Sequence, residues 1–234
     1  MHLDRPYLPE SSGLLSWVLA GIDYVAGNAG YIEVANMSLG SVGYSQAERD
    51  AIITWVNQGV VFVVAAGNSG KDVYGDDAIF QTDDDYIPAA FPEVAAVSAL
   101  ADSDGQEGGS GAPTTYGPDD TLAVFSNFSN SVVEGNPVLS PGAAIDFAAP
   151  GVNILSTYKN GGYAIGSGTS MASPHGAGSA ALYIARYGRA SDSQGVAAIR
   201  QASIDSAEPQ TLWGPLDTQD PDSQQEGLVN AENP

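Results

Sequence analysis

The 234-residue chain contains no cysteine, which excludes disulfides and thiolate metal sites. Basic residues are scarce: seven lysines and arginines stand against 28 acidic residues, for a formal net charge of −21. Such a surface offers nothing to neutralise phosphate, so nucleic acid and anionic membranes are excluded as partners. Lysine occurs only as Lys71 and Lys159, a balance that suits a saline or calcium-containing medium. Histidine occurs only at positions 2 and 175, so histidine-based proton transfer has two candidates. No apolar run approaches the ~20 residues of a membrane span. The opening MHLDRPYLPESSG lacks the layout of a signal peptide. What is present is ordinary for a folded protein: 43% hydrophobic residues over a length that fits one domain with a sizeable core.

The order of patterns predicts an α/β chain. Ser11 and Ser12 can cap a helix whose Leu14, Leu15, Val18, Ile22 and Val25 follow a helical period. Ile32 to Ser38 reads as a strand. Ser45-Gln-Ala-Glu48 is a capping-box signature for a helix through Trp55, ended by Gly59. VVFVVAA, Val60 to Ala66, is the near-continuous apolar run of a parallel strand buried on both faces. Lys71 to Tyr86, with six aspartates, and Ala101 to Asp120 read as loops. Further strands are expected at Val94 to Leu100, Leu122 to Ser126, Ile145 to Ala148, Ile154 to Thr157 and Tyr163 to Gly166. Helices follow from Ser170 to Tyr187 and, capped by Ser191-Asp-Ser-Gln194, through Ala207. The core is expected over residues 3–207, with an irregular acidic tail over 208–234. Helices alternating with strands at this spacing predict a mostly parallel sheet.

GSGTSMASPHGAG, residues 166–178, reads as a seryl nucleophile entering a helix. A serine hydroxyl needs a positioned base to attack a carbonyl at neutral pH. His175 lies five residues beyond Ser170, roughly 140° around a helix, so the two side chains point in different directions. His2 sits at the extreme N-terminus, where chains fray. The motif thus stands without its base. Other serine chemistries fit less well. The hydrolase elbow G-x-S-x-G is not matched by Gly168-Thr-Ser-Met-Ala172, and no histidine follows His175. A seryl-lysine scheme has only Lys71 and Lys159 to draw on.

Four ordered segments carry a resemblance: ANMSLGS at 35–41, VVAAGNSG at 63–70, FAAPG at 147–151 and GTSMASPHGAG at 168–178. Together they resemble the C-terminal two-thirds of a subtilisin-like serine protease domain, covering almost the whole chain. The resemblance implies a three-layer α/β fold that is N-terminally truncated, a polypeptide substrate and an extracellular setting. It implies Ser170 as nucleophile and Asn68 as the side-chain donor of an oxyanion hole. Ser38, Leu39 and Gly40 match the segment that pairs with an extended substrate. Ala65, Ala66 and Gly67 match the facing wall of the primary pocket, whose floor Tyr86 would shorten. No cofactor is required. A weak Ca²⁺ or Na⁺ site is implied by backbone carbonyls of Ala89, Phe91 and Val94 near the Asp146 carboxylate, an oxygen-only set. Asp102-Ser-Asp-Gly105 has some calcium-loop character but fails the full pattern and reads as a solvated turn.

The family's Asp and His motifs, D-[ST]-G and HGT-H, occur nowhere in the chain. Three readings follow: a fragment of a secreted peptidase that is inactive alone, one half of a split protease completed by another chain or a missing N-terminal segment, or a non-catalytic peptide-binding descendant. Joint retention of Ser170 and Asn68 favours the first two.

Overall fold

A computed structural model describes residues 13–28, 30–210, 213 and 220–231. Its helices are α1 (Leu15–Gly27), α2 (Gln46–Val56), α3 (Thr169–Tyr187) and α4 (Ser193–Asp205). Its strands are β1 (Val34–Met37), β2 (Ser41–Val42), β3 (Val61–Ala65), β4 (Tyr86–Ile87), β5 (Ala95–Ala101), β6 (Thr121–Leu122), β7 (Phe147–Pro150), β8 (Ile154–Tyr158) and β9 (Gly162–Gly166). The main sheet runs β1-β3-β5-β6, with β7 also paired to β5. Every pairing in it is parallel except β5 with β6. The result is a three-layer α/β fold with a mostly parallel sheet, as the alternation of patterns predicts.

All five residues of β3 are buried, which explains the unbroken apolar run: a central parallel strand meets side chains on both faces. Helix α3 lies directly on the sheet at Gly176. A Cβ built there would lie 2.5 Å from Phe147 Cε2 and 3.3 Å from Val63 Cγ1. Only hydrogen lets the helix approach so closely, and this contact sets the height of α3 above β3 and β7. Helix α2 begins as its cap predicts, with Ser45 Oγ accepting the Glu48 N–H at 3.3 Å. The Ser11–Ser12 cap expected for α1 lies outside the described residues.

Three expectations change. Leu122 to Ser126 is not a strand; β6 ends at Leu122, because Phe125 and Asn127 turn to hydrogen-bond the loop that follows β3. The last helix is capped by Asp192, whose carboxylate accepts the Gly195 N–H at 2.8 Å, not by Ser191. The tail is irregular where it is described, as expected, but the core does not stop at residue 207. Trp213 is 1% exposed and Glu226 2%, and Ala148 and Val229 N–H groups donate across to Gly227 and Ala148. A C-terminal segment is therefore part of the core, adding to β7 without forming a regular strand.

Exposed apolar side chains collect on the β8–β9 hairpin. Leu155 and Ile165 are directly paired and 66% and 67% exposed, and Tyr163 on the same face is 73% exposed. Among the described strands β1 pairs with β3 alone, so one of its edges carries no neighbour.

Two outcomes follow from this packing. Gly176→Ala is expected to cost about 1–3 kcal/mol by overpacking, while Gly178→Ala, with nothing within 4 Å, should gain about 0.5–1 kcal/mol of helix stability; denaturant titration reads both. Glu226 is held up at about 8 by burial, with Asp220 and Asp222 adding repulsion. A carboxyl raised in the folded state binds its proton more tightly than in the unfolded chain, so its contribution to stability falls as pH rises from about 4.5 to about 8. Glu226→Gln should flatten the melting temperature across that window, and an unchanged slope would mean that other groups carry it.

Candidate active site

Helix α3 begins at Thr169 after Gly168, whose φ of 151° is open mainly to glycine. Ser170 is its second residue, where a backbone N–H has no intrahelical acceptor and the helix dipole favours nearby negative charge. The Ser170 hydroxyl donates to the Ser38 carbonyl at 3.3 Å, and Ser38 Oγ donates back to the Ser170 carbonyl at 2.8 Å. Asn36 Nδ2 donates to Ser38 Oγ at 2.9 Å, and Ser173 Oγ donates to Asn36 Oδ1 at 2.6 Å. The first turn of α3 is thereby fastened to the C-terminal end of β1.

Asn68 sits in the loop leaving the C-terminal end of β3. Its Oδ1 accepts from the Thr169 N–H at 2.8 Å and from Thr169 Oγ1 at 3.1 Å. Thr169 Oγ1 in turn accepts the Gly67 N–H at 3.1 Å. With the carbonyl end of the amide held by Thr169, Nδ2 is the free end of this exposed side chain's amide among the described residues.

Ser170 and Asn68 line one cleft of about 350 Å³, and Ser38, Leu39, Gly40, Ala65, Ala66 and Gly67 line it with them. All eight positions singled out from the motifs are therefore brought together. Both walls pack against β4: a Cβ on Gly40 would lie 2.8 Å from the Ile87 carbonyl oxygen, and one on Gly67 would lie 3.6 Å from Tyr86 Cδ1. Tyr86 also lines the cleft.

His175 is not with them. It is exposed, and its Nδ1 bonds the Met171 carbonyl at 2.8 Å one turn back along α3. A carbonyl only accepts, so Nδ1 carries the proton. His2 lies outside the described residues. Among the described residues no histidine meets Ser170.

The expected cation site is corrected. Asp146 is 1% exposed, and both its oxygens are taken by Arg200: Nε donates to Oδ2 at 2.8 Å and Nη2 to Oδ1 at 3.0 Å. Arg200 Nη1 donates to the Pro92 carbonyl at 2.8 Å, beside the segment of Ala89, Phe91 and Val94, and the Phe91 carbonyl accepts the Val94 N–H. A guanidinium already supplies the positive charge, and the residues do not fit a metal ion. Asp102 is part of a turn, as expected, its Oδ1 accepting the Asp104 and Gly105 N–H groups.

Thr169, Asn36 and Asn127 escaped the motif reading. Thr169 was legible as the neighbour of Ser170, but the partners of Asn36 and Asn127 are set only by tertiary structure.

Ser170 thus stands at a helix N-terminus, with the Asn68 amide in the same cleft at the C-terminal ends of parallel strands. The comparisons identify the family. The sequence model of the subtilase family matches residues 5–231. Alkaline serine exoprotease A of Vibrio alginolyticus is 37% identical over 185 residues, 79% of this chain and 27% of that protein. Subtilisin of Bacillus sp. (strain TA39) is 37% identical over 186 residues, 78% of this chain and 39% of that protein. The crystal structure of a cold-adapted subtilisin-like serine proteinase superposes with a TM-score of 0.67 at 31% identity, covering 95% of this chain and 63% of that one. The chain belongs to the subtilase family, the subtilisin-like serine endopeptidases. It spans well under half the length of those two curated relatives.

Breaking the buried ion pair tests the corrected role of Asp146. Arg200→Met is expected to cost about 3–5 kcal/mol, since it strands a buried carboxylate; a loss under about 1 kcal/mol in denaturant titration would show that Asp146 has another partner.

Proposed function

We propose that this chain carries the nucleophile half of a serine endopeptidase site, with Ser170 forming the acyl-enzyme. The observation that carries the reading is the Asn68 amide, held by Thr169 so that its Nδ2 is left to the cleft that Ser170 lines. As Ser170 Oγ attacks a peptide carbonyl, the carbonyl oxygen becomes negative. Asn68 Nδ2–H and the Ser170 backbone N–H donate to it, aided by the N-terminus of α3. The substrate backbone lies extended along Ser38, Leu39 and Gly40, and the side chain beside the scissile bond enters between that segment and Ala65, Ala66 and Gly67. Tyr86 narrows this pocket. The extracellular setting follows from the same reading.

The proton of Ser170 goes to a base outside the described residues. In the family reading this is a histidine oriented by an aspartate, supplied by an N-terminal segment or a complementing chain. The edge of β1 that has no partner among the described strands and the apolar face of the β8–β9 hairpin support such a docking partner. The chain alone is expected to hydrolyse peptide substrates negligibly and to resist fluorophosphonate labelling at Ser170.

Adding a family segment with the D-[ST]-G and HGT-H motifs should restore both signals. Ser170→Ala should then abolish them. Asn68→Ala should lower kcat by about 10²–10³, the loss known for removing such a donor in subtilisin itself. Strong labelling of the isolated chain would contradict the external base. Peptide binding without hydrolysis in the completed protein would support the non-catalytic descendant instead.

A further inference from the structure

Asn68 can act as a fixed donor only if its loop is fixed, and the loop has little regular structure to hold it. Gly67 and Gly70 have φ of +112° and +60°, conformations that glycine adopts without steric cost. The backbone between Ala66 and Lys71 must therefore be restrained from outside.

Part of the restraint is backbone pairing, Gly70 N–H to the Phe125 carbonyl and Phe128 N–H to the Lys71 carbonyl; the rest centres on one residue. Asn127 is 0% exposed, and its amide uses both ends. Nδ2 donates to the Ala66 carbonyl at 3.0 Å, and Oδ1 accepts the Ser69 N–H at 3.0 Å and the Lys71 N–H at 3.2 Å. The Asn127 backbone N–H donates to the Gly67 carbonyl at 3.0 Å. These four bonds fall on residues 66, 67, 69 and 71, on both sides of Asn68 and never on it. The Asn127 amide also rests against Gly67, where any Cβ would overlap its Nδ2 and lie 3.0 Å from its Cγ.

We infer that Asn127 is a positioning residue for the oxyanion donor: its buried amide clamps the 66–71 loop so that Asn68 meets Thr169 and leaves Nδ2 to the cleft. The inference rests on reading Asn68 as the oxyanion donor. A carbonyl-only or donor-only side chain cannot replace the clamp, because one end must donate to Ala66 while the other accepts from Ser69 and Lys71. The clamp acts through preorganisation, so its loss should appear in turnover and not in substrate affinity.

The test uses amide hydrogen exchange on the 234-residue chain, which needs no activity. In Asn127→Ala, Ser69 and Lys71 amides lose their acceptor. A purely local role would stop there. The clamp predicts that Thr169, whose N–H is protected by Asn68 Oδ1 and not by Asn127, exchanges about tenfold faster or more, with β3 and β5 unchanged. Asn127→Asp keeps both acceptor bonds and should fall between wild type and Ala; it carries the test if the Ala variant does not fold. Unchanged Thr169 exchange would overturn the inference, and so would a rise across β3 and β5, which would make Asn127 a support of the whole sheet. In a preparation made active by an Asp- and His-bearing segment, Asn127→Ala should lower kcat about tenfold to a hundredfold with KM within about twofold, and add nothing in an Asn68→Ala background. If no preparation hydrolyses peptide, the peptidase reading falls and the exchange result still decides the clamp.

Discussion

Two hydrogen bonds to Asn68 Oδ1, from the Thr169 N–H and hydroxyl, join the halves of this molecule that matter for function. One half is the loop leaving the buried central strand β3. The other is the first turn of α3, which carries Ser170. The residues are about a hundred positions apart in sequence, so the junction exists only because α3 lies flat on the sheet at Gly176.

The same junction explains why the sequence puts small residues where it does. Gly40, Gly67, Gly168 and Gly176 each stand where a backbone or ring approaches too closely for a Cβ, or where φ is positive. Ala65 and Ala66 line the cleft between them. Larger apolar side chains fill β3 as Val61, Phe62, Val63 and Val64, while its neighbour β5 is mostly alanine; burial of both stabilises the sheet that holds both loops. The aspartates of the 71–86 segment serve the loop itself. Asp84 and Asp85 accept backbone N–H groups from Asp76, Gln81 and Thr82, so much of this acidity is architecture.

How much of this was legible in the residues follows from range. The run Val60 to Ala66 announced a buried strand, and Ser45 with Glu48 announced a helix start, because both signals are local. Ser170 and Asn68 were legible because short motifs surround them. What was not legible depends on contacts across the chain. Arg200 sits in an unremarkable stretch of α4, yet it takes the Asp146 carboxylate that the family resemblance assigns to a cation. Residues Leu122 to Ser126 read as a strand by composition, but their neighbours bond the loop after β3. Trp213 and Glu226 lie in a Pro-, Asp- and Gln-rich tail expected outside the core, yet Trp213 packs with Leu100 and Ala148 and Glu226 meets the Ser98 hydroxyl. The separation of His175 from Ser170 follows from helix angle alone, since a spacing of five residues does not bring two side chains to one face.

In the proposed reading, Ser170 Oγ attacks a peptide carbonyl carbon while the Asn68 amide donates to the oxygen of that same carbonyl. A crystal structure of the Ser170→Ala chain with a bound peptide tests this most directly. The account predicts an extended peptide along Ser38, Leu39 and Gly40, with one carbonyl oxygen within hydrogen-bond distance of Asn68 Nδ2 and its carbon beside the position of the missing hydroxyl. A peptide seated elsewhere on the domain, or one in this cleft with Asn68 Nδ2 turned away from every carbonyl, would contradict it.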